Sequence, residues 1–204
     1  QLIPEKSNVP SLVNDTESYE QVLVIVCTVT DGTLDQVGEK CILFIQKYIA
    51  HQVLLILEDA TGYRVNVTEK RINQKDNSKL TMERSFTTNV LSKLYKNELS
   101  DALYKAMNFS SLNKTNLQLL YKGYIQAVVQ YQAATITGSY IKRTNARTAE
   151  DMKHLEAIGL LESTINSLSS QMKKESQLNE QVQLNIKIKE KRTEISKLKT
   201  ILSQ

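Results

Sequence analysis

From Leu161 to Ile186 the chain repeats at alternating spacings of four and three. Leu161, Ile165, Leu168, Met172, Val182 and Ile186 are the apolar members of the series, and Glu175 and Asn179 are two polar members within it. A stripe this narrow is the seam of a coiled coil rather than the broad apolar face of a helix seated in a globular core, so it predicts a partner helix. Polar positions in such a seam trade stability for register. After Ile186 the phase slips, and Leu184, Ile188, Lys191, Ile195, Leu198 and Leu202 form a second stripe rotated from the first, as a stutter would produce. No proline interrupts residues 152–203, which as one helix would be roughly 75 Å long at about 1.5 Å per residue. The spacing therefore predicts one extended arm. A helical hairpin broken near Ser176 to Asn185 is the alternative, disfavoured because Gln and Asn continue helices and no Gly or Pro marks a turn there.

Upstream the period changes. Val22-Leu-Val-Ile-Val-Cys-Thr-Val29 is a continuous β-branched run of the kind carried by a strand buried on both faces, and Asp31-Gly32 ends it. Leu34, Val37, Cys41, Phe44, Ile45 and Tyr48 then recur at helical spacing, and Val53 to Leu57 is a second buried strand. Strand, helix, strand implies a right-handed crossover with the two strands parallel. Glu58 to Gly62 supplies turn residues, and Tyr63, Val65 and Val67 alternate with polar neighbours as a hairpin strand does. A polar loop is expected at Asn73 to Lys79, an edge strand at Leu80 to Phe86, and amphipathic helices at Val90 to Met107 and Asn116 to Thr135. The fold class is α+β: a small mixed sheet with covering helices and a long C-terminal coiled-coil-like helical arm. The divisions are an irregular lead-in (1–21), a core (22–150) and the arm (151–204). Val24, Val26, Phe44, Ile45, Leu55 and Leu57 are the expected core.

Composition supports a folded protein, with 41% hydrophobic residues despite an aromatic content of 6% and no Trp. No apolar run approaches the roughly 20 residues of a membrane span, and the amino terminus lacks the order of a signal peptide, so a cytoplasmic protein is expected. Gln1 is an unusual natural start, and a few residues are expected to precede it. The net charge of +4 conceals a polarity. Residues 1–31 are acidic, whereas Lys142, Arg143 and Arg147 form one basic cluster and Lys187, Lys189, Lys191, Arg192, Lys197 and Lys199 another against Glu190 and Glu194. Lys142, Arg143, Arg147, Lys187, Lys191 and Arg192 are the candidate nucleic-acid contacts, since a basic helix can neutralise phosphates. The same residues suit the solvated flank of a coiled coil.

Candidate chemistry is sparse. Cys27 and Cys41, read as buried thiols, and His51 and His154, in unrelated segments, cannot complete a tetrahedral zinc site, so neither metal nor cofactor is expected. Gly32, Gly38 and Gly62 are isolated and form no phosphate loop. Asp59, Glu69 and Arg71 suggest a metal-dependent nuclease. With a turn at Ala60 to Tyr63, however, Glu69 pairs near Leu54, about five positions and roughly 17 Å from Asp59. Two carboxylates sharing a metal stand closer than that, so no catalytic residues are assigned.

Arg147-Thr-Ala-Glu-Asp-Met-Lys-His-Leu-Glu156, the seam from Leu161, and Lys174-Glu-Ser-Gln-Leu-Asn-Glu-Gln-Val-Gln-Leu-Asn185 resemble the carboxy-terminal signature of a bacterial family catalogued as domain of unknown function 4391. That signature is approximately Lys-Glu-x-Gln-x-Asn-x-x-Val-x-Leu-Asn. Upstream, Val53 to Glu58, Phe86-x-Thr88 and Leu112 to Ile125 are similar to the family's strand-acid-turn, aromatic-x-Thr and helical segments, with Val90 where the family usually has Trp. The resemblance implies no reaction. Family members are often encoded near helicases, methyltransferases and restriction-like genes, which implies an accessory subunit of a bacterial DNA-directed defence system.

The expected function is thus a non-catalytic adaptor that binds itself or a larger protein through Leu161, Ile165, Leu168, Met172, Asn179, Val182 and Ile186. Nucleic-acid binding by the basic helix is the first alternative and a cryptic nuclease the second.

Overall fold

The computed structural model describes the backbone of all 204 residues and every side chain except those of Asn77 and Ser78, and it divides into two units, Gln1–Gln132 and Ala133–Gln204. The first unit opens with a single helical turn, α1 (Pro4–Ser7), and a short antiparallel pair, β1 (Leu12–Val13) and β2 (Ser18–Tyr19). The strand-helix-strand reading holds. β3 (Val22–Thr28), α2 (Leu34–Tyr48) and β4 (Gln52–Glu58) follow, with the strands parallel from Val22↔Gln52 to Thr28↔Glu58. Thr33 is the N-cap of α2, its N–H donating to Gln36 Oε1 at 3.2 Å. Asp59 Oδ2 accepts from the Leu34 N–H at 3.2 Å, which sets a carboxylate at the positive end of the helix dipole.

The chain continues through β5 (Gly62–Asn73), β6 (Asp76–Thr87) and β7 (Leu91–Ser92), giving the strand order β3-β4-β5-β6 with β7 also on β5. Two readings are corrected here. The polar segment Asn73 to Lys79 is no loop, because its residues close a long hairpin at Gln74-Lys75, where Asn73 Oδ1 accepts from the Lys75 N–H at 2.8 Å. Cross-strand ion pairs, Arg84–Glu69 at 2.7 Å and Arg71–Glu83 at 2.9 Å, line this polar ladder. Nor is Val90 to Asn97 helical. Leu91 and Ser92 pair with Tyr63 and Gly62, and Gly62 is needed for that approach, since a Cβ there would lie 2.6 Å from Val90 Cγ1 and 2.8 Å from the Leu91 carbonyl oxygen. The helix starts only where Asn97 caps it, accepting from Ser100 N–H at 2.8 Å, and α3 runs from Glu98 to Met107. A 3₁₀ turn (Phe109–Ser111) leads to α4 (Leu117–Thr137), whose expected stripe, Leu117, Leu120, Tyr124, Val128 and Tyr131, is buried throughout.

Leu55 and Leu57 are buried as expected, with Val53 of β4 and Leu34 and Ile42 of α2, and Ile45 packs beside them. Val24, Val26 and Phe44 are not core. β3 lies at the edge of the sheet while α2 packs on β4 and β5, so alternate β3 side chains face solvent and Phe44 projects from the uncovered flank of the helix. Cys27 and Cys41 are free thiols and only half-buried.

Beyond Leu54↔Val67 the β4–β5 ladder stops and side chains take over its bonds. The Tyr121 hydroxyl of α4 accepts from the Thr68 N–H at 3.0 Å and reaches the Val53 and Thr68 carbonyls at 2.9 and 3.0 Å. Gln52 Nε2 donates to the Lys70 carbonyl at 3.3 Å. Lys70 Nζ donates to the carbonyls of Ile49 and His51 at 3.0 and 2.8 Å, thereby capping the negative end of α2. Tyr121→Phe keeps the ring and strands these backbone groups, so it should cost about 1–3 kcal/mol in urea unfolding. A loss below about 0.5 kcal/mol would show that the hydroxyl is dispensable.

The second unit corrects the extended arm. Residues 145–202 form two antiparallel helices, α5 (Asn145–Lys174) and α6 (Leu178–Leu202), turning at Glu175 to Gln177. No Gly or Pro is needed, because Glu175 Oε1 accepts from the N–H groups of Ser176 and Gln177 at 2.8 and 2.9 Å, while Gln181 Nε2 donates to the Glu175 carbonyl at 2.6 Å. The core of this unit is Ala133, Ile158, Ile195 and Leu202, with Leu155, Leu161, Ile165 and Leu198 packed against it.

Candidate functional site

The reversal at Glu175 explains the phase slip: the α5 part of the first stripe faces the second stripe across the hairpin. On α5, Leu161 and Ile165 pack into the core, and Leu168 and Met172 continue that face half-buried. On α6 the packed face is the second stripe, with Ile188, Ile195 and Leu202 buried and Leu184, Lys191 and Leu198 half-buried. Glu175 is the C-cap of α5, and Asn179, Val182 and Ile186 leave the seam altogether. What remains outside is an apolar row on the outer side of α6, where Leu178, Val182 and Ile186 at intervals of four are 72%, 49% and 47% exposed. On another side Ile165 and Ile195 floor an open groove of about 370 Å³ rimmed by Glu162, Arg192, Ser196 and Lys199.

The basic residues are not brought together. Arg143 and Arg147 turn inward at the open end of the hairpin, donating through Nη2 to the carbonyls of Leu202 and Ile201 at 2.7 and 2.6 Å. Those carbonyls end α6 and carry the negative end of its dipole. The same guanidinium groups flank the fully buried carboxylate of Asp151, Arg147 Nε at 3.1 Å and Arg143 Nε at 3.6 Å. Burial pushes the Asp151 carboxyl up from the ordinary aspartate range, with Arg147 and then Arg143 pulling against it. Lys142, Lys187 and Arg192 are exposed, and Lys191 pairs with Glu194 at 2.8 Å.

The nuclease-like trio is dispersed further than expected. The register Leu54↔Val67 puts Glu69 level with Gln52, roughly 24 Å along the strand from Asp59 at about 3.4 Å per residue. Each member is also engaged elsewhere. Asp59 Oδ1 accepts from the Thr61 and Gly62 N–H groups and from the Thr61 hydroxyl at 2.8–2.9 Å, and these backbone bonds, with that of Leu34, hold its pKa down at about 2. Glu69 and Arg71 are the hairpin ion-pair members described above. Among the described residues no group of His, Cys, Asp and Glu is placed to hold a metal, and no helix is long and apolar enough to cross a membrane.

A buried polar cluster lies on the α2 side of β5 and β6, where Gln46 Nε2 donates to Asn66 Oδ1 at 2.7 Å and Asn66 Nδ2 to Ser85 Oγ and Thr87 Oγ1, both at 2.9 Å. It joins amides to hydroxyls without an acid or base to activate them, and its work is to satisfy buried strands. Sequence reasoning missed the two buried charges, Lys70 and Asp151. Lys70 sits in an alternating β pattern that gives no sign of its burial, and the one signal for Asp151 is its i,i+4 spacing from Arg147 on a helix.

A family model described as a domain of unknown function (DUF4391) matches residues 1–195. The chain belongs to this family. The match takes in the whole first unit and all but the last turns of the hairpin, so both units are parts of the family's fold. No curated protein and no solved structure matches the chain.

Proposed function

We propose that this protein is a non-catalytic accessory subunit that docks a partner protein through its C-terminal hairpin, within a bacterial DNA-directed defence or restriction-like system. The observation that carries the reading is the row Leu178, Val182 and Ile186. In a helix otherwise rich in Lys, Glu and Gln, three aliphatic side chains share one face and the hairpin's own packing leaves them uncovered. Such a row is the anchor pattern of helix-to-helix docking. Membership of the family, with the gene neighbourhood noted above, supports the DNA-directed setting. Val182→Asp with Ile186→Asp should abolish stoichiometric co-purification of the partner from the native host while changing thermal unfolding little, because both side chains are already about half exposed. Undiminished co-purification would refute the assignment.

Nucleic-acid binding is the second reading, supported by the exposed Lys142, Lys187 and Arg192. It is the weaker one, since Arg143 and Arg147 are committed to the end of α6. In a separate titration, tight duplex binding by the isolated protein that falls steeply with salt would promote it.

A further inference from the structure

The apolar row and the groove lie on different sides of the hairpin, but they share an edge. Ser196 follows Leu178 by eighteen residues, which is five turns at about 3.6 residues per turn. The row therefore sets out from the same line of α6 that the rim of the groove occupies further along. Their lengths match as well. Residues 178–186 span about 12 Å, and the α6 wall of the groove, from Arg192 to Lys199, about 10 Å, at roughly 1.5 Å per residue. Leu178 and Val182 present aliphatic side chains to water, while the groove offers about 370 Å³ over its floor of Ile165 and Ile195. Ser196, the smallest side chain on the rim, leaves the α6 wall low.

We propose that the occupant of the row is a second copy of this chain, the two α6 helices lying antiparallel about a twofold axis at Lys187, so that each row enters the other's groove. This rests on the reading of the row as a docking surface and names what docks there. The register follows from the spacing. An isologous pair opposes residues equidistant from its axis, and with the axis at Lys187 the Leu178 side chain meets Ser196 of the other copy. Val182 then lies along the aliphatic stem of Arg192, whose charged end stays at the open rim, and Asn185 meets Lys189. Moving the axis to Asn185 would set Leu178 against Arg192 instead, a large cation in place of the one small rim residue. Lys187 itself is two and a half turns from Leu178, on the far side of α6, so its two copies point away from each other.

Charge fits the same register. Residues 181–186 carry none, so nothing repels them from a rim with Glu162 on one wall and Arg192 and Lys199 on the other. Neither of those cations makes an ion pair among the described residues. The axis brings Lys199 level with Glu175 of the other copy, a base opposite an acid at both ends of the contact. A different protein would have to supply both an apolar row for the groove and a pocket for the row, whereas α6 already carries the two at the required spacing. The overlap from Glu175 to Lys199 is about 36 Å long and one helix, about 10–12 Å, wide. That is roughly 400 Å² on each copy, and the α5 wall of the groove brings the pair to the ~1,000 Å² of a specific interface.

The test is the solution mass of the full chain by light scattering. The parent should be a dimer at micromolar concentration. Val182→Asp with Ile186→Asp should halve the mass, and so should Ser196→Arg, which alters only the groove at an exposed position, with the circular dichroism spectrum unchanged in both. As a measurement that does not rely on those charges, Leu178→Cys with Ser196→Cys in a Cys27→Ala, Cys41→Ala background should oxidise to a cross-linked dimer. Within one chain the two positions are about 27 Å apart along α6, beyond the span of a disulfide, so the bond can form only between copies. Either cysteine alone should cross-link at least tenfold more slowly. A monomeric parent overturns the proposal. The docking reading then still stands if the Val182, Ile186 variant loses a partner from the native host, and falls too if that capture is undiminished. A dimer that survives either the row or the groove substitution overturns the proposal, as does a cysteine pair that cross-links no faster than the single cysteines.

Discussion

Asp151→Ala is expected to cost about 3–5 kcal/mol, the scale for removing one partner from a buried charge pair. The carboxylate is fully buried between Arg147 and Arg143, and the same two side chains hold the last carbonyls of α6. Without it, two guanidinium groups remain at the open end of the hairpin with much of their neutralising charge gone, and they relax toward water. The end of α6 then loses its caps. Fast exchange should appear first in the amides of residues 195–202, with a shifted urea midpoint. Glu150→Ala is the control, because Glu150 is exposed and pairs with Arg147 at 3.4 Å on the surface, where such pairs contribute under about 1 kcal/mol. Equal effects from the two substitutions would mean that the buried carboxylate does not organise the hairpin.

Stability should rise as pH is raised from about 8 toward 10. Burial lowers the pKa of Lys70 to about 8, below its ordinary value of 10.5. Between those values the unfolded chain binds a proton that the folded chain has released, so increasing pH favours folding, by at most about 3 kcal/mol over the window. Near and above pH 10 the sign reverses. Burial raises the hydroxyls of Tyr19 and Tyr121 above the usual phenol range, so these ionise first in the unfolded chain and draw the equilibrium toward it. A maximum near pH 10 follows. Lys70→Met should remove the rise and leave the fall. Urea midpoints at pH 7.5 and 9.5 suffice to check it, and a wild-type midpoint that is flat or falling over that interval would show that Lys70 titrates normally.

Local pattern and tertiary context contributed differently to each element. The β3–α2–β4 crossover was legible because a period-free β-branched run, a 3.6-residue stripe and a second apolar run leave one chiral arrangement available. The packed stripes on α5 and α6 were equally legible, since Leu161, Ile165, Ile188 and Ile195 repeat as any packed helix face must. What the pattern could not express was the reversal between them. A hairpin and a stutter produce the same shift of phase, and the turn at Glu175 depends on a carboxylate folding back onto two amides rather than on Gly or Pro. The β5–β6 hairpin ran past its expected limits for a similar reason, because Asn73, Asp76 and Lys79 read as loop on their polarity until a neighbouring strand pairs their backbone.

The sequence by itself determined the α+β class, the crossover and the family, and its strand spacing set Asp59 and Glu69 far apart. Only the tertiary structure decided which apolar residues are core. Val24, Val26 and Phe44 carry the hydrophobicity of buried residues, yet strand order leaves β3 at the edge and the seating of α2 over β4 and β5 leaves its flank open. It also decided which charges are free, turning Arg143 and Arg147 from a basic patch into the caps of α6. Hydrophobicity and charge are properties of single residues, whereas burial and pairing are properties of what the chain brings beside them.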